Sequence, residues 1–173
     1  SQAEHGVDSQ AMLVTASESI VKPVMQAIRE QLDRLPRKEI TEKSLSHSRL
    51  IVLKDKQEVI DFTNLYAPEH LIIQTTDYAD IAGQVENAGS VFMGPYTPES
   101  AGDYASGTNH TLPTNGYAKA YSGVNLDSFI KKITFQEITA DGIRLLGGTI
   151  RTMAANEQLD AHKNAVTIRL NTL

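Results

Sequence analysis

Arg49-Leu50-Ile51-Val52-Leu53 reads as a buried strand. Asp55 with Glu58 follows as a helix-start signal, in which side-chain oxygens satisfy the free amides of a first turn. Val59, Ile60 and Leu65 then carry the helix until Pro68 closes it. Leu71-Ile72-Ile73 is the next strand, Asp77 opens a helix with Ile81 and Val85, Gly89 stops it, and Ser90-Val91-Phe92-Met93 is a further strand. Strands alternating with helices are joined by crossovers, and a crossover returns the chain parallel to the strand it left. In such sheets ligands gather at the carboxyl ends of strands, so the loops after Leu53, Ile73 and Met93 are the expected places for function.

Toward the N-terminus the same unit repeats. Met12-Leu13-Val14-Thr15 is a short apolar run, and Thr15-Ala16-Ser17-Glu18 has the form of a capping box. Ile20, Val21, Val24, Met25, Ile28, Leu32 and Leu35 recur at helical spacing up to Pro36, with Pro23 tolerated because it falls in the first turns. Toward the C-terminus, Gly94 to Gly123 is a long polar loop rich in Gly, Pro, Thr, Asn and Tyr, and loops of this length usually bind something. A strand is predicted over Ile133-Thr134-Phe135-Gln136-Glu137-Ile138, then helices around Ile143 to Ala155 and Leu159 to Leu170. Their apolar residues Leu145, Leu146, Ile150, Met153, Leu159, Val166 and Ile168 either close a local core or pack on a second subunit. The expected class is α/β: a mainly parallel, Rossmann-like sheet with flanking helices over residues 1–125, carrying most of the candidate chemistry, plus a small C-terminal subdomain of a strand and helices over 126–173, expected to form a dimer.

With 173 residues, 40% of them apolar, the chain is long enough for one ordinary domain, or one with an appendage. The net charge of −5 supplies no global basic field, so nucleic acid is not an expected partner. No apolar run approaches the roughly 20 residues of a membrane-spanning helix and no signal-peptide layout opens the chain, so a soluble, cytoplasmic protein is expected. The absence of cysteine removes disulfides, thiolate zinc sites and cysteine nucleophiles together. The missing initiator Met suggests a piece of something longer. No Gly-x-Gly-x-x-Gly follows a strand, no phosphate-binding Lys loop is present and no Gly-x-Ser-x-Gly elbow occurs. Chemistry is left to histidines, carboxylates and hydroxyls.

Gln2-Ala3-Glu4-His5 sets an amide oxygen and an imidazole three apart, facing one point if the segment is helical; the alternative is a solvated N-terminal turn. Glu69-His70, just after Pro68, can serve as a pair of proton-transfer groups, or be a surface Glu beside a strand-capping His. Asp103 and His110 lie in the long loop, where they can bind an ion and orient a substrate. Against that, Asp103 and Asn109 can merely organise turns. Glu157 and His162, five apart, read as the solvated start of the last helix. His47, in Ser44-Leu45-Ser46-His47-Ser48, has no chemical neighbour and reads as structural or surface.

Taken together, Ser1-Gln2-Ala3-Glu4-His5-Gly6, Ala67-Pro68-Glu69-His70-Leu71, Ala161-His162-Lys163-Asn164-Ala165 and the loop from Thr97-Pro98-Glu99-Ser100 through Asn109-His110-Thr111 to Thr114 closely resemble histidinol dehydrogenase. The resemblance covers essentially the whole chain, and the loop signature is specific. Family members are more than twice this long, so the resemblance implies a C-terminal piece, the missing portion carrying the NAD-binding residues. It implies oxidation of L-histidinol to L-histidine through an aldehyde, with two NAD and one zinc ion, in a homodimer.

By the same resemblance, Gln2, His5 and Asp103 match zinc ligands, joined by His162 supplied across the dimer, and all of these lie against substrate. Glu69 and His70 match the catalytic acid–base pair, with His70 also touching substrate. His110 and Glu157 match substrate contacts. No residue here is matched to the nucleotide. The chemistry is consistent: two imidazoles, a carboxylate and an amide oxygen suit Zn²⁺. An imidazole can take the hydroxyl proton, a carboxylate can deprotonate water for the second oxidation, and the hydride needs a nicotinamide. Two readings of another kind stay open: a metal-binding dimerisation module, and a zinc hydrolase using Glu69.

Overall fold

The computed structural model describes all residues, Ser1–Leu173, and divides them into two compact units, Ser1–Ile130 and Lys131–Leu173. In the first unit, strand β1 (Met12–Thr15) pairs in parallel with β2 (Arg49–Val52), in the register Met12 opposite Arg49. Strand β3 (His70–Ile73) pairs in parallel with β4 (Ser90–Met93), His70 opposite Ser90. The intervening helices are α1 (Val21–Leu32), α2 (Lys38–His47), α3 (Lys56–Tyr66) and α4 (Tyr78–Ala82), with α5 (Glu99–Tyr104) following β4. The α/β class and the parallel pairing are as the alternation requires, resolved into two strand pairs.

The core of this unit is Ile60 of α3, Ile73 of β3 and Ile81 of α4, with Leu71, Tyr78, Val85 and Val91 packed on them. Side chains alternate across a strand, so Leu71 and Ile73 enter this core while His70 stands on the opposite face. Helix α3 starts as predicted: the Asp55 carboxylate accepts from the Glu58 amide at 3.0 Å, and the Glu58 carboxylate accepts from the Lys54 amide at 2.9 Å.

Several expectations are corrected. The hydroxyl of Thr15 accepts from the Ser17 amide, two residues on, and makes a local turn; the chain enters α1 through a 3-10 turn at Glu18–Ile20 with no side-chain cap. Helix α4 ends at Ala82, and Gly89 instead begins the approach to β4. Helix α2 has no apolar periodicity because its buried positions are Thr41 and Ser44, whose small polar side chains bond backbone carbonyls: Ser44 Oγ donates to Ser9 at 2.9 Å. Part of the long loop is helical, as α5.

Residues 131–139 form no strand. A strand needs a ladder partner, and none pairs with this stretch. Ile133 and Phe135 are 71% and 91% exposed.

The second unit is a hairpin of α6 (Ala140–Asn156) and α7 (Asp160–Asn171), started by the Thr139 hydroxyl accepting from the Gly142 amide. The chain reverses through Gln158, in the left-handed region at φ 60°. Gly147 and Ala154 are its buried residues, and Gly147 lies against Leu170 and Val166. Small residues let the helices approach, leaving Leu145, Leu146, Met153 and Ile168 exposed. The local core is narrower than the apolar pattern suggests. No helix is long and apolar enough to cross a membrane.

Candidate active site

Backbone geometry puts His70 in place. Helix α3 ends at Ala67, which is 1% exposed and held in the left-handed region at φ 54°, a costly conformation for a residue with a side chain. The next carbonyls are pinned to the approach to β4: Pro68 accepts from the Gly89 amide and Glu69 from the Ser90 amide, each at 2.9 Å. Only glycine permits this, because a Cβ at residue 89 would lie 2.5 Å from the Glu69 carbonyl oxygen.

Helix α5 brings in the carboxylates. It follows β4, as the rule of strand carboxyl ends anticipates, and packs back along that strand. A Cβ at Gly102 would sit 2.7 Å from the ring of buried Phe92, so the helix lies closer than any other residue would allow. The Thr108 hydroxyl donates to the Gly102 carbonyl at 3.0 Å and closes the following turn. Glu99 and Asp103 are one helical turn apart and share a face.

The result is a cluster: ligating atoms of His70, Glu99 and Asp103 lie within 4.8 Å of one another. His70 Nε2 is 3.8 Å from Glu99 Oε1, and the two side chains are 12% and 6% exposed. Neither atom has a hydrogen-bond partner. Two carboxylates and an imidazole at this separation can share protons or hold a cation.

Gln2 lies in a single 3-10 turn at Gln2–Glu4 with His5 as its cap, so the two stand on one side of that turn. Ala3 between them is buried, and the following segment is tied down: Gln10 donates to the His47 carbonyl at 2.8 Å and accepts from the Tyr66 hydroxyl at 2.7 Å. Burial pushes the Tyr66 phenol up. His47 itself takes part through its backbone, in line with a structural role. Gln2 Oε1 is buried without a partner, whereas His5 is exposed and outside the cluster.

Glu69 is half-buried and also outside the cluster. Asp103, read as a loop residue, is on α5. His110 is exposed on irregular chain, where the Asn109 side chain accepts from the Thr111 amide at 2.7 Å and organises a turn. In the second unit, Glu157 caps α6 and His162 is in the first turn of α7, both exposed. They belong to two helices and not to the start of one.

Glu99 is the residue that motif reading passed over. A Glu after a Pro at a helix start looks like an ordinary partner of the helix dipole. The available signal was its spacing from Asp103: like charges four apart on a helix repel unless a third group answers them.

The first unit is a parallel α/β unit of the Rossmann-like kind that sets a half-buried imidazole beside one buried and one half-buried carboxylate. The profile described as histidinol dehydrogenase matches residues 1–170. The histidinol dehydrogenase of Bacteroides thetaiotaomicron is 67% identical over 173 residues, all of this chain and 40% of that protein. The chloroplastic histidinol dehydrogenase of Arabidopsis thaliana is 56% identical over 174 residues, again all of this chain and 37% of its own length. The crystal structure of histidinol dehydrogenase from Elizabethkingia anophelis superposes with a TM-score of 0.91 at 54% identity, covering 98% of this chain and 39% of that one. This chain belongs to the histidinol dehydrogenase family, and it spans about 40% of the length of the bacterial relative.

Proposed function

We propose that this chain is the C-terminal part of an NAD-dependent, zinc-containing histidinol dehydrogenase, acting in the last steps of histidine biosynthesis in the cytoplasm and inactive without an N-terminal portion. The observation that carries the reading is the meeting of half-buried His70 with half-buried Asp103, residues far apart in sequence, in a member of this family.

His70 takes the hydroxyl proton of L-histidinol as hydride leaves the adjacent carbon for a nicotinamide, giving the aldehyde. Water adds to the aldehyde, Glu69 accepting its proton while His70 returns the first proton to the carbonyl oxygen; loss of a second hydride from the hydrate to a second nicotinamide, with the neutral His70 taking a hydroxyl proton, gives L-histidine. His110 and Glu157 contact the substrate. Gln2, His5 and Asp103, with His162 of the partner subunit, would hold zinc, which when bound orients the substrate through its imidazole and amine. The donor set suits that ion, and the orphaned buried Gln2 Oε1 fits a cation ligand.

Assaying NADH formation from histidinol tests this. No turnover is expected from the chain alone, and turnover is expected when it forms the C-terminal part of a protein of its relatives' length. Turnover by the chain alone would place the nucleotide site here and overturn the division. His162→Asn in the long protein should lower zinc content; unchanged zinc would refute the cross-subunit ligand. A metal-binding dimerisation module is the second reading, favoured by Leu145 and Met153 standing 82% and 60% exposed.

A further inference from the structure

Glu99 has no part in the roles just given. We infer that it is a positioning residue for His70: its carboxylate holds the imidazole with the Nε2 hydrogen directed at Oε1, leaving Nδ1 as the lone pair that takes the substrate proton. This rests on the reading of His70 as the proton acceptor.

Glutamate is almost never fully buried unless paired, yet Glu99 is 6% exposed. The basic group beside it is His70, whose Nε2 lies 3.8 Å from Glu99 Oε1. Both atoms are buried and lack other partners, so each answers the other's missing interaction. Their approach is set by the fold: Gly89 fixes the start of β3, and Gly102 seats α5 on Phe92. The His70 ring lies 6.1 Å from that of Phe92, centroid to centroid, so the imidazole is flanked by an aromatic ring as well as the carboxylate.

A neutral imidazole carries one N–H and one lone pair, and the partner of the N–H decides which nitrogen is which. A carboxylate only accepts. Facing Nε2, it selects the tautomer with hydrogen there and frees Nδ1, as the third member of a nucleophile–base–acid array orients its imidazole. Asp103, on the same face of α5, remains available as a cation ligand.

The test has two arms. Nitrogen NMR of the His70 ring in this chain should show a protonated Nε2 in the neutral imidazole, and Glu99→Gln should shift the population toward the other tautomer while Glu99→Asp retains it. An Nδ1–H tautomer in the unaltered chain, or no change in Glu99→Gln, overturns the inference whatever the enzyme does. In the long protein, Glu99→Gln should lower kcat about 10- to 100-fold with KM for histidinol and zinc content unchanged, and Glu99→Asp should recover most of it. Lost zinc, or a rise in KM at constant kcat, would make Glu99 a ligand or a binding group instead. If the unaltered long protein fails to oxidise histidinol, the proposed function falls, while the ring-nitrogen result still decides the Glu99–His70 pairing.

Discussion

His70 and Glu99, in the unit Ser1–Ile130, are 12% and 6% exposed at their side chains, whereas Glu157 and His162, in the unit Lys131–Leu173, are on the surface. Large apolar side chains are buried in the first unit alone, Ile60, Ile73, Ile81 and Phe92 among them, whereas in the second unit Ala154 is the buried apolar residue and Leu145 and Met153 are exposed. The difference follows from architecture. A strand pair has two faces to cover, so α3 and α4 shield one side of β3 and β4 while α5 packs against β4 beside His70. A two-helix hairpin has one seam, which Gly147 and Ala154 already fill. Polar side chains can therefore be isolated from water in the first unit, where the lower dielectric strengthens the interactions between them. The second unit offers its side chains outward.

The largest test of this contrast is a matched pair of truncations. Ile60→Ala, at 3% exposure, should lower the unfolding free energy by about 2–5 kcal/mol in urea titration. Leu145→Ala, at 82%, should stay within about 0.5 kcal/mol. Equal effects would mean that the two units do not differ in packing.

Gly89→Ala should come next, costing about 1–3 kcal/mol because its methyl group meets the backbone carbonyl of Glu69, which cannot turn aside. It should also perturb the ring signals of His70. A substitution that left both stability and those signals unchanged would remove the claim that Gly89 sets the site.

The smallest effect belongs to the surface pair Lys56–Asp77, at 2.8 Å. The hydrogen bond from Lys56, followed by that from Thr75, holds the Asp77 carboxyl below the usual carboxylate range, and the bond to Asp77 raises the Lys56 ammonium. A depressed carboxyl stabilises the fold above its unfolded value, near 4, and that contribution is lost as pH falls through the depressed value. The raised ammonium contributes below its unfolded value, near 10.4, and loses its effect as pH rises through the higher folded one. Lys56→Met should therefore lower the melting temperature slightly and evenly between about pH 5 and 9, with the difference closing as pH falls below the usual carboxylate range. A difference that grew in acid would contradict the assignment.

Much of the fold was legible where a local signal existed. The apolar runs at 50–53, 71–73 and 90–93 and the Asp55 cap announce their elements, and their alternation dictates parallel pairing. Helix α2 was hidden because Thr41 and Ser44, which it buries, are polar. The apolar stretch from Ile133 looked like a strand because periodicity reports side chains and is silent about whether a neighbouring strand exists. Of the site, the residue types and the family resemblance lay in the motifs, while Glu99 passed for a helix-start acid.

Local order, chemistry and kinship were thus set by the chain's own residues, since caps, periodicity and motif spacing act over a few positions. The tertiary structure decided which of the candidates meet. Joining His70 to Glu99 and Asp103 depends on two close backbone approaches, at Gly89 and Gly102, and a glycine's neighbours in space are not written in its neighbours along the chain.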